Sequence, residues 1–345
     1  RSDPPVKPAL AWQQAANLIR EFEGFESNAY PDPGTGDKPW TIGWGFTSLN
    51  DALVKKGDSI SREDADAMLD QIIAEGWHKG AGTPHAEVDA LSKLASVPAG
   101  ATAVVTLEPC NHTGRTGPCA QALIAAGVSR VVYAVSDPGA TSGGGAQTLR
   151  DAKVEVVFGT LENEAREQNR VWLTANTRQR PFVTLKWASS LDGRAAANDG
   201  TSKWISGPES RADSHLRRSH VDAILVGTGT VLADDPELTA RKPDGTLYEH
   251  QPLRVVIGES ELPASARIFH TDAETVHLRT HSLHGVLAAL WQEGVKHVWV
   301  EGGPTVASHF ARLGLVDEYL VYLAPTLLGG ARTAIADLGV TTMAE

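Results

Sequence analysis

Cysteine is nearly absent from this chain, with two in 345 residues. That scarcity excludes a disulfide framework and agrees with a reducing, cytoplasmic setting. Positive charge is also in deficit: 31 Lys plus Arg stand against 42 Asp plus Glu, a net charge of −11. Nothing here points to nucleic acid or an anionic membrane surface as a partner, and a small-molecule substrate fits better. No apolar run approaches the roughly 20 residues of a membrane span. An initiating methionine is missing too, since the first residue is Arg1, so the chain reads as processed, trimmed or a fragment, and it shows no signal peptide. At about 150 residues per domain, its length suggests two or three domains.

What is present is concentrated between Thr83 and Ala120, TPHAEVDALSKLASVPAGATAVVTLEPCNHTGRTGPCA. Both cysteines fall here, Cys110 and Cys119, each directly after a proline, with His85-Ala86-Glu87 upstream. One imidazole and two thiolates form a three-ligand zinc set that leaves the fourth tetrahedral position for water, which is the arrangement of a catalytic site. Glu87, two residues from His85, can stand beside that water as the general acid/base of a zinc deaminase. Zinc brings the pKa of its water to about 7, and the carboxylate can carry the proton to a leaving amine. Hydrolytic loss of ammonia from an amino-heterocycle is the reaction class. Two other readings stay open: a disulfide or a buried cysteine pair, and a closed structural zinc site with His112 as fourth ligand.

The run EGWHKGAGTPHAEVDAL, followed by LEPCNHTGRTGPC, resembles the bifunctional deaminase/reductase family of riboflavin biosynthesis. Generic cytidine deaminases usually have two residues between their cysteines, and here there are eight. The resemblance implies that His85, Cys110 and Cys119 hold zinc, that Glu87 shuttles protons and that His78 touches the substrate.

Ahead of that stretch, residues 1–9 carry three prolines and no apolar period, an extended or disordered lead-in. A helical period runs from Leu10 to Phe22 and stops at Glu23-Gly24 and a Pro/Gly/Asp-rich turn, after which Trp40 to Gly45 reads as a short strand with a tight glycine bend. This part resembles the phage-type lysozymes, through Glu23-Gly24, Tyr30 and Asp32, and Thr41 to Gly45. The resemblance implies a glycoside-hydrolase site with Glu23 as the acid and with Asp32 and Thr41 placing the water. Ser61 and Asp64 read as a helix N-cap and its third position. No sequence after about residue 73 resembles that family. The expectation is a truncated lysozyme-like segment, 10–73, joined to a deaminase domain, 74–175, that lacks its opening strands.

Within 74–175 the pattern alternates helix and strand: helix 86–94, strand 103–107, helix 119–126, strands 130–135 and 154–158, then one charged amphipathic helix over 161–175 as a link. Metal ligands at helix starts are favoured because the dipole there suits thiolate.

From Arg180 a second α/β pattern begins with PFVTLKWASSLDGRAAANDGTSKWISG and continues through SHLRRSHVDAILVGTGTVLADDPELTAR and VWVEGGPTVASHF to LAPTLLGG. It resembles the reductase half of the same family, which implies a fold like dihydrofolate reductase over 176–345, with closing strands beyond Glu345. From the residues themselves, strand 297–300 followed by Glu301-Gly302-Gly303-Pro304-Thr305 is a glycine turn opening a helix, where bare amides suit a phosphate; a plain turn is the alternative. The resemblance assigns NADPH contacts to Ala188, Trp204, Thr230, Asp234, Gly303, Pro304 and Thr305. Substrate contacts fall to Lys186, Ser202, Arg218, Leu238, Arg241 and Glu301, with arginine forks suited to a ribose phosphate. Trp204 as core and Arg218 as a solvated helix face stay open.

The fold class expected is thus α/β: a zinc-deaminase-like domain, then a dihydrofolate-reductase-like domain, with a small α+β lysozyme-like segment in front. Zinc and NADPH are the expected cofactors, a phosphoribosylamino-pyrimidine the expected substrate, and a homo-oligomer is compatible with both. The competing functions are a peptidoglycan-hydrolysing endolysin and a chimera with incomplete sites.

Overall fold

The computed structural model describes residues 26–31, 40–43, 48–49, 52–53, 55–56, 58–65, 74–79, 82–94, 97, 100–114, 116–269 and 273–342. The expected helix over 10–22, and with it Glu23 and Asp32, lies outside them. The chain divides into two compact units, Arg1–Gln168 and Asn169–Glu345.

In the first unit, β1 (Glu26–Pro31) and β2 (Trp40–Gly43) form an antiparallel hairpin with Tyr30 opposite Thr41. A second hairpin joins β3 (Ser48–Leu49) to β4 (Ala52–Leu53). Ser61 caps a helical turn over 62–65: its Oγ accepts from the Asp64 amide at 3.0 Å and donates to Asp64 Oδ2 at 2.7 Å. The N-cap expected from the sequence is thus formed, with Asp64 at its third position.

The rest of the unit runs α1 (Ala86–Leu91), β5 (Thr102–Leu107), α2 (Cys119–Ala125), β6 (Arg130–Val135), α3 (Gly145–Asp151), β7 (Glu155–Phe158) and α4 (Glu162–Gln168). Strands β5, β6 and β7 pair in parallel in that order. The middle strand is an unbroken apolar run, Val131 to Val135, all buried, as a parallel strand with neighbours on both sides requires. Ala120, Leu123, Val128, Val131, Leu149 and Val154 make its core. Helix α3 goes unread in the sequence. The single helix expected over 161–175 is two: the backbone leaves helical geometry at Asn169 (ψ 11°), so α4 ends and α5 (Arg170–Arg178) begins in the second unit.

The second unit continues with β8 (Phe182–Ser190), α6 (Pro208–Arg218), β9 (Ala223–Gly227), α7 (Thr228–Asp234), β10 (Leu253–Ile257), β11 (Thr275–Leu278), α8 (Leu283–Gln292), β12 (His297–Val300), α9 (Pro304–Arg312) and β13 (Glu318–Ala324). All six strands are parallel, in the order β11-β10-β9-β12-β8-β13. Side chains alternate through the pleat of β9: Ala223 and Leu225 enter the core with Leu287 and Phe310, while Ile224 and Val226 enter the opposite one with Ile268 and Trp299. From β9 the chain moves outward to β10 and β11, whereas from β12 it crosses β8 to reach β13. Adjacent strands whose connections leave in opposite directions mark the switch point where open α/β sheets take ligands, beyond the carboxyl ends. Here those ends are Gly227 on β9 and Glu301 after β12. Among the described residues, no helix is long and apolar enough to cross a membrane.

Candidate active sites

His85 is the N-cap of α1, Cys119 is the first residue of α2, and Cys110 follows β5. Three separate elements thus deliver the three side chains. His85 Nδ1 lies 3.4 Å from Cys110 Sγ and 3.3 Å from Cys119 Sγ, and all three atoms lie within 4.8 Å of one another. Tetrahedral zinc with bonds of about 2.3 Å to sulfur and 2.0 Å to nitrogen needs an S···N edge of about 3.5 Å, so the donor set fits the ion in both identity and spacing. The cysteines are free thiols, and His112 is not part of the group. Both the disulfide and the four-ligand structural site are set aside.

The electrostatics of the site agree. The Cys119 amide donates to Cys110 Sγ at 3.4 Å. Hydrogen bonding from Cys119, ahead of opposing burial, holds the Cys110 thiol down to about 5, and the same bond pushes the Cys119 thiol up. Two adjacent sulfurs cannot both ionise without a cation between them, and a divalent ion would relieve that conflict. Burial raises the Glu87 carboxyl above its ordinary value, offset in part by hydrogen bonds, including one with Cys119.

His78 sits edge-on to His85 with ring centroids 5.1 Å apart. Its segment rides on one face of α1. A Cβ added at Gly76 would fall 2.1 Å from the Ala86 carbonyl oxygen, and buried Asp89 accepts from the Trp77 amide at 3.3 Å, Lys79 at 3.2 Å and Lys93 at 2.8 Å. Positions 86, 89, 90 and 93 share that face by helical spacing. Asp89 carries no catalytic signature in the sequence and goes unread there.

In the second unit, Glu301 directly follows β12, its side chain largely covered. Arg218 Nε donates to Oε1 at 2.7 Å and Nη2 to Oε2 at 2.6 Å; Trp299 Nε1 adds a bond at 2.6 Å, and Lys186 Nζ stands 3.6 Å away. Burial would raise this carboxyl, but the charges of Arg218 and Lys186 outweigh it and hold the group well below the carboxylate range. Arg218 is therefore no solvated face, and its fork is engaged by Glu301, with Nη1 on the Thr239 carbonyl at 3.0 Å. Arg241 bonds Glu237 and Thr239 Oγ1, and its amide meets His215 Nδ1 at 3.3 Å. Burial, then Arg218 and Arg241, lower His215 to about 4.

Gly303 is the N-cap of α9, with Pro304 and Thr305 in its first turn, and Thr230 of α7 faces it: a Cβ at Gly303 would lie 3.9 Å from Thr230 Oγ1. Lys186 and Ala188 lie on β8, and Asp234 ends α7. Leu238 is buried in the core at a left-handed φ of 53°. Trp204 is 69% exposed, with the Arg211 guanidinium 4.5 Å from its ring centroid, which removes the reading of it as core. Ser202 is exposed in the same loop. Thr41 stands in β2.

Three family profiles match the chain: the cytidine and deoxycytidylate deaminase zinc-binding region over residues 66–135, the RibD C-terminal domain over 181–344, and phage lysozyme over 20–93. The first and third share residues 66–93. The chain is 50% identical over 274 residues to riboflavin biosynthesis protein RibD of Mycobacterium tuberculosis, covering 79% of this chain and 80% of the relative. It is 39% identical over 309 residues to RibD of Escherichia coli, covering 80% and 84%. Among solved structures, Acinetobacter baumannii RibD superposes with a TM-score of 0.73 at 40% identity, covering 79% and 82%. A Thermotoga maritima protein titled diaminohydroxyphosphoribosylaminopyrimidine deaminase/5-amino-6-(5-phosphoribosylamino)uracil reductase gives 0.70 at 34%, covering 78% and 82%.

Proposed function

The chain belongs to the RibD family of riboflavin biosynthesis, and on that premise we propose that the first unit, from residue 74 to Gln168, deaminates a phosphoribosylamino-pyrimidine and that the second, Asn169–Glu345, reduces its ribosyl group with NADPH. The observation that carries the reading is the convergence of His85, Cys110 and Cys119 within 4.8 Å, with Glu87 half-buried beside them. Zinc supplies a Lewis acid and an acidified water at that point. Glu87, its carboxyl raised by burial, would take one proton from the water and pass it to the ring nitrogen beside the attacked carbon, then carry the added hydroxyl's proton to the amine, so that the C–N bond breaks, a C=O forms and ammonia leaves. His78, held on α1 beside His85, contacts the substrate at the mouth.

In the reductase unit, the amides of Gly303, Pro304's neighbour Thr305 and the Thr230 hydroxyl line the NADPH phosphate site at the switch point, with Ala188, Trp204 and Asp234 as further contacts. Lys186, Ser202, Arg241, Leu238 and Glu301 contact the substrate, and Arg218 fixes the Glu301 carboxylate for that task. We assign the reaction to the cytoplasm, where two thiols awaiting a metal stay reduced.

The test is Glu87→Gln. Zinc content should remain near one per chain and NADPH oxidation on pre-deaminated substrate should be unchanged, while ammonia release is lost. Absence of zinc from protein with intact cysteines, or ammonia release persisting in the variant, overturns the deaminase assignment.

A further inference from the structure

Cys110 enters the zinc site from a loop rather than from a helix or strand, so something other than regular secondary structure must hold it. On one side, α2 does so: the Ala120 amide donates to the Cys110 carbonyl at 3.1 Å, and the Cys119 amide to its sulfur at 3.4 Å. On the other side the hold comes from Glu108. Glu108 is 8% exposed, and its carboxylate bridges two stretches of backbone, accepting from the Ala146 amide at 2.9 Å through Oε1 and from the Asp137 amide at 3.1 Å through Oε2. Asp137 follows β6 and Ala146 lies in the first turn of α3. The Glu108 amide donates to Val135 at 2.8 Å, and the Asn111 amide donates to Ser142 at 2.8 Å. Gly145 closes the contact, since a Cβ there would fall 1.7 Å from the Pro109 carbonyl oxygen. Residues 108–111 are thus pinned to the β6–α3 loop at every position around the cysteine.

We infer that Glu108 is a positioning residue for the zinc site, setting the Cys110 sulfur by clamping the preceding backbone to the amides of Asp137 and Ala146. The inference rests on His85, Cys110 and Cys119 holding the metal. Its chemistry is specific. Both partners of the carboxylate are N–H donors, so the site needs two acceptor oxygens, and a glutamine of the same shape would turn an NH2 group against one of them. Groups that orient metal ligands typically contribute about 10–100-fold to metal affinity.

The experiment uses the full chain loaded with zinc, with release followed by transfer to the chelator 4-(2-pyridylazo)resorcinol, and a parallel cobalt-substituted sample for its thiolate-to-metal absorption. Wild type must first hold about one zinc; if it does not, the zinc reading itself fails, and the inference with it. Glu108→Gln is expected to release zinc at least about tenfold faster, and to shift the cobalt–thiolate band, while NADPH oxidation by the reductase unit is unchanged. Glu108→Asp keeps the charge but reaches only one amide, and should fall between the two. A purely structural Glu108 would lower the unfolding temperature of the zinc-free protein and leave both metal readouts at wild type. That result in a folded Glu108→Gln, or in Glu108→Asp if the glutamine variant does not fold, overturns the inference.

Discussion

Arg218 and Glu301, 83 positions apart, meet in a two-point ion pair of 2.7 and 2.6 Å, with side chains only 13% and 11% exposed. Such a pair is costly to break from one side, because the survivor is left charged and buried. Arg218→Leu is expected to destabilise the second unit by about 3–5 kcal/mol at pH 7. The folded carboxyl is depressed, so the pair's contribution is present above the unfolded value of about 4.3 and is lost as pH falls below it. The difference between wild type and variant in urea unfolding should therefore hold from pH 7 down to about pH 5 and shrink only as pH falls below about 4. Arg218→Lys keeps charge without the fork and should lower reductase kcat/KM by roughly tenfold or more.

His297 predicts acid sensitivity of the opposite origin. Thr184 Oγ1 donates to Glu318 Oε2 at 2.8 Å, so its lone pairs accept from His297 Nε2, also at 2.8 Å, which assigns the neutral Nε2–H tautomer. Burial lowers this imidazole to about 4. The unfolded chain takes up the proton near pH 6.5, so between these values the unfolded state binds more protons and stability falls as pH drops. The loss should reach about 3 kcal/mol at full protonation of the unfolded form. His297→Gln, whose amide can still donate to Thr184, should flatten the dependence of the unfolding midpoint on pH between 6.5 and 4; an unchanged slope would exclude His297 as its source.

Residues 10–73 are expected not to hydrolyse cell walls. Glycoside hydrolysis needs two carboxyl groups across a cleft whose second wall binds and distorts the sugar. The residues that follow are already committed to the zinc unit: Gly76 lies against α1 and Asp89 binds Trp77, Lys79 and Lys93. A turbidity assay on bacterial walls checks this, and clearing that disappears in Glu23→Gln would show the segment to be active.

The zinc ligands are legible in the sequence because metal chemistry restricts residue type and spacing, and the structure gathers the three. Glu108 is not legible, since a carboxylate whose partners are backbone amides leaves no side-chain counterpart to look for. Arg218, in an Arg-Arg pair on a polar helix, looks solvated until its distant partner is known. Helix α3 hides in a glycine-rich stretch that reads as loop; its first residue is glycine because the Pro109 carbonyl occupies the space of a Cβ. The break at Asn169 is invisible because the apolar period continues through it. The six-stranded order is not written locally either, since it depends on which parallel strands lie side by side.

The adjacent glycines of Glu301-Gly302-Gly303 separate fold from ligand binding. A Cβ at Gly302 would fall 2.5 Å from Val306 Cβ, in the first turn of α9, where neither backbone nor branched side chain can give way easily. Gly302→Ala should therefore cost about 1–3 kcal/mol of stability, read as a lower unfolding temperature. Gly303 has an ordinary φ of −63°, and among the described residues its Cβ would meet nothing nearer than Thr230 Oγ1 at 3.9 Å. Gly303→Val should fold with an unfolding temperature near wild type, but its side chain would occupy the approach to the α9 amides that suit a phosphate. Titration with NADPH, followed by quenching of tryptophan fluorescence, should show Kd raised about tenfold or more, and the thermal protection that NADPH gives wild type should weaken in proportion. Wild-type affinity in folded Gly303→Val would remove this turn from the cofactor site, and no saturable binding in folded wild type would remove the cofactor assignment from the unit.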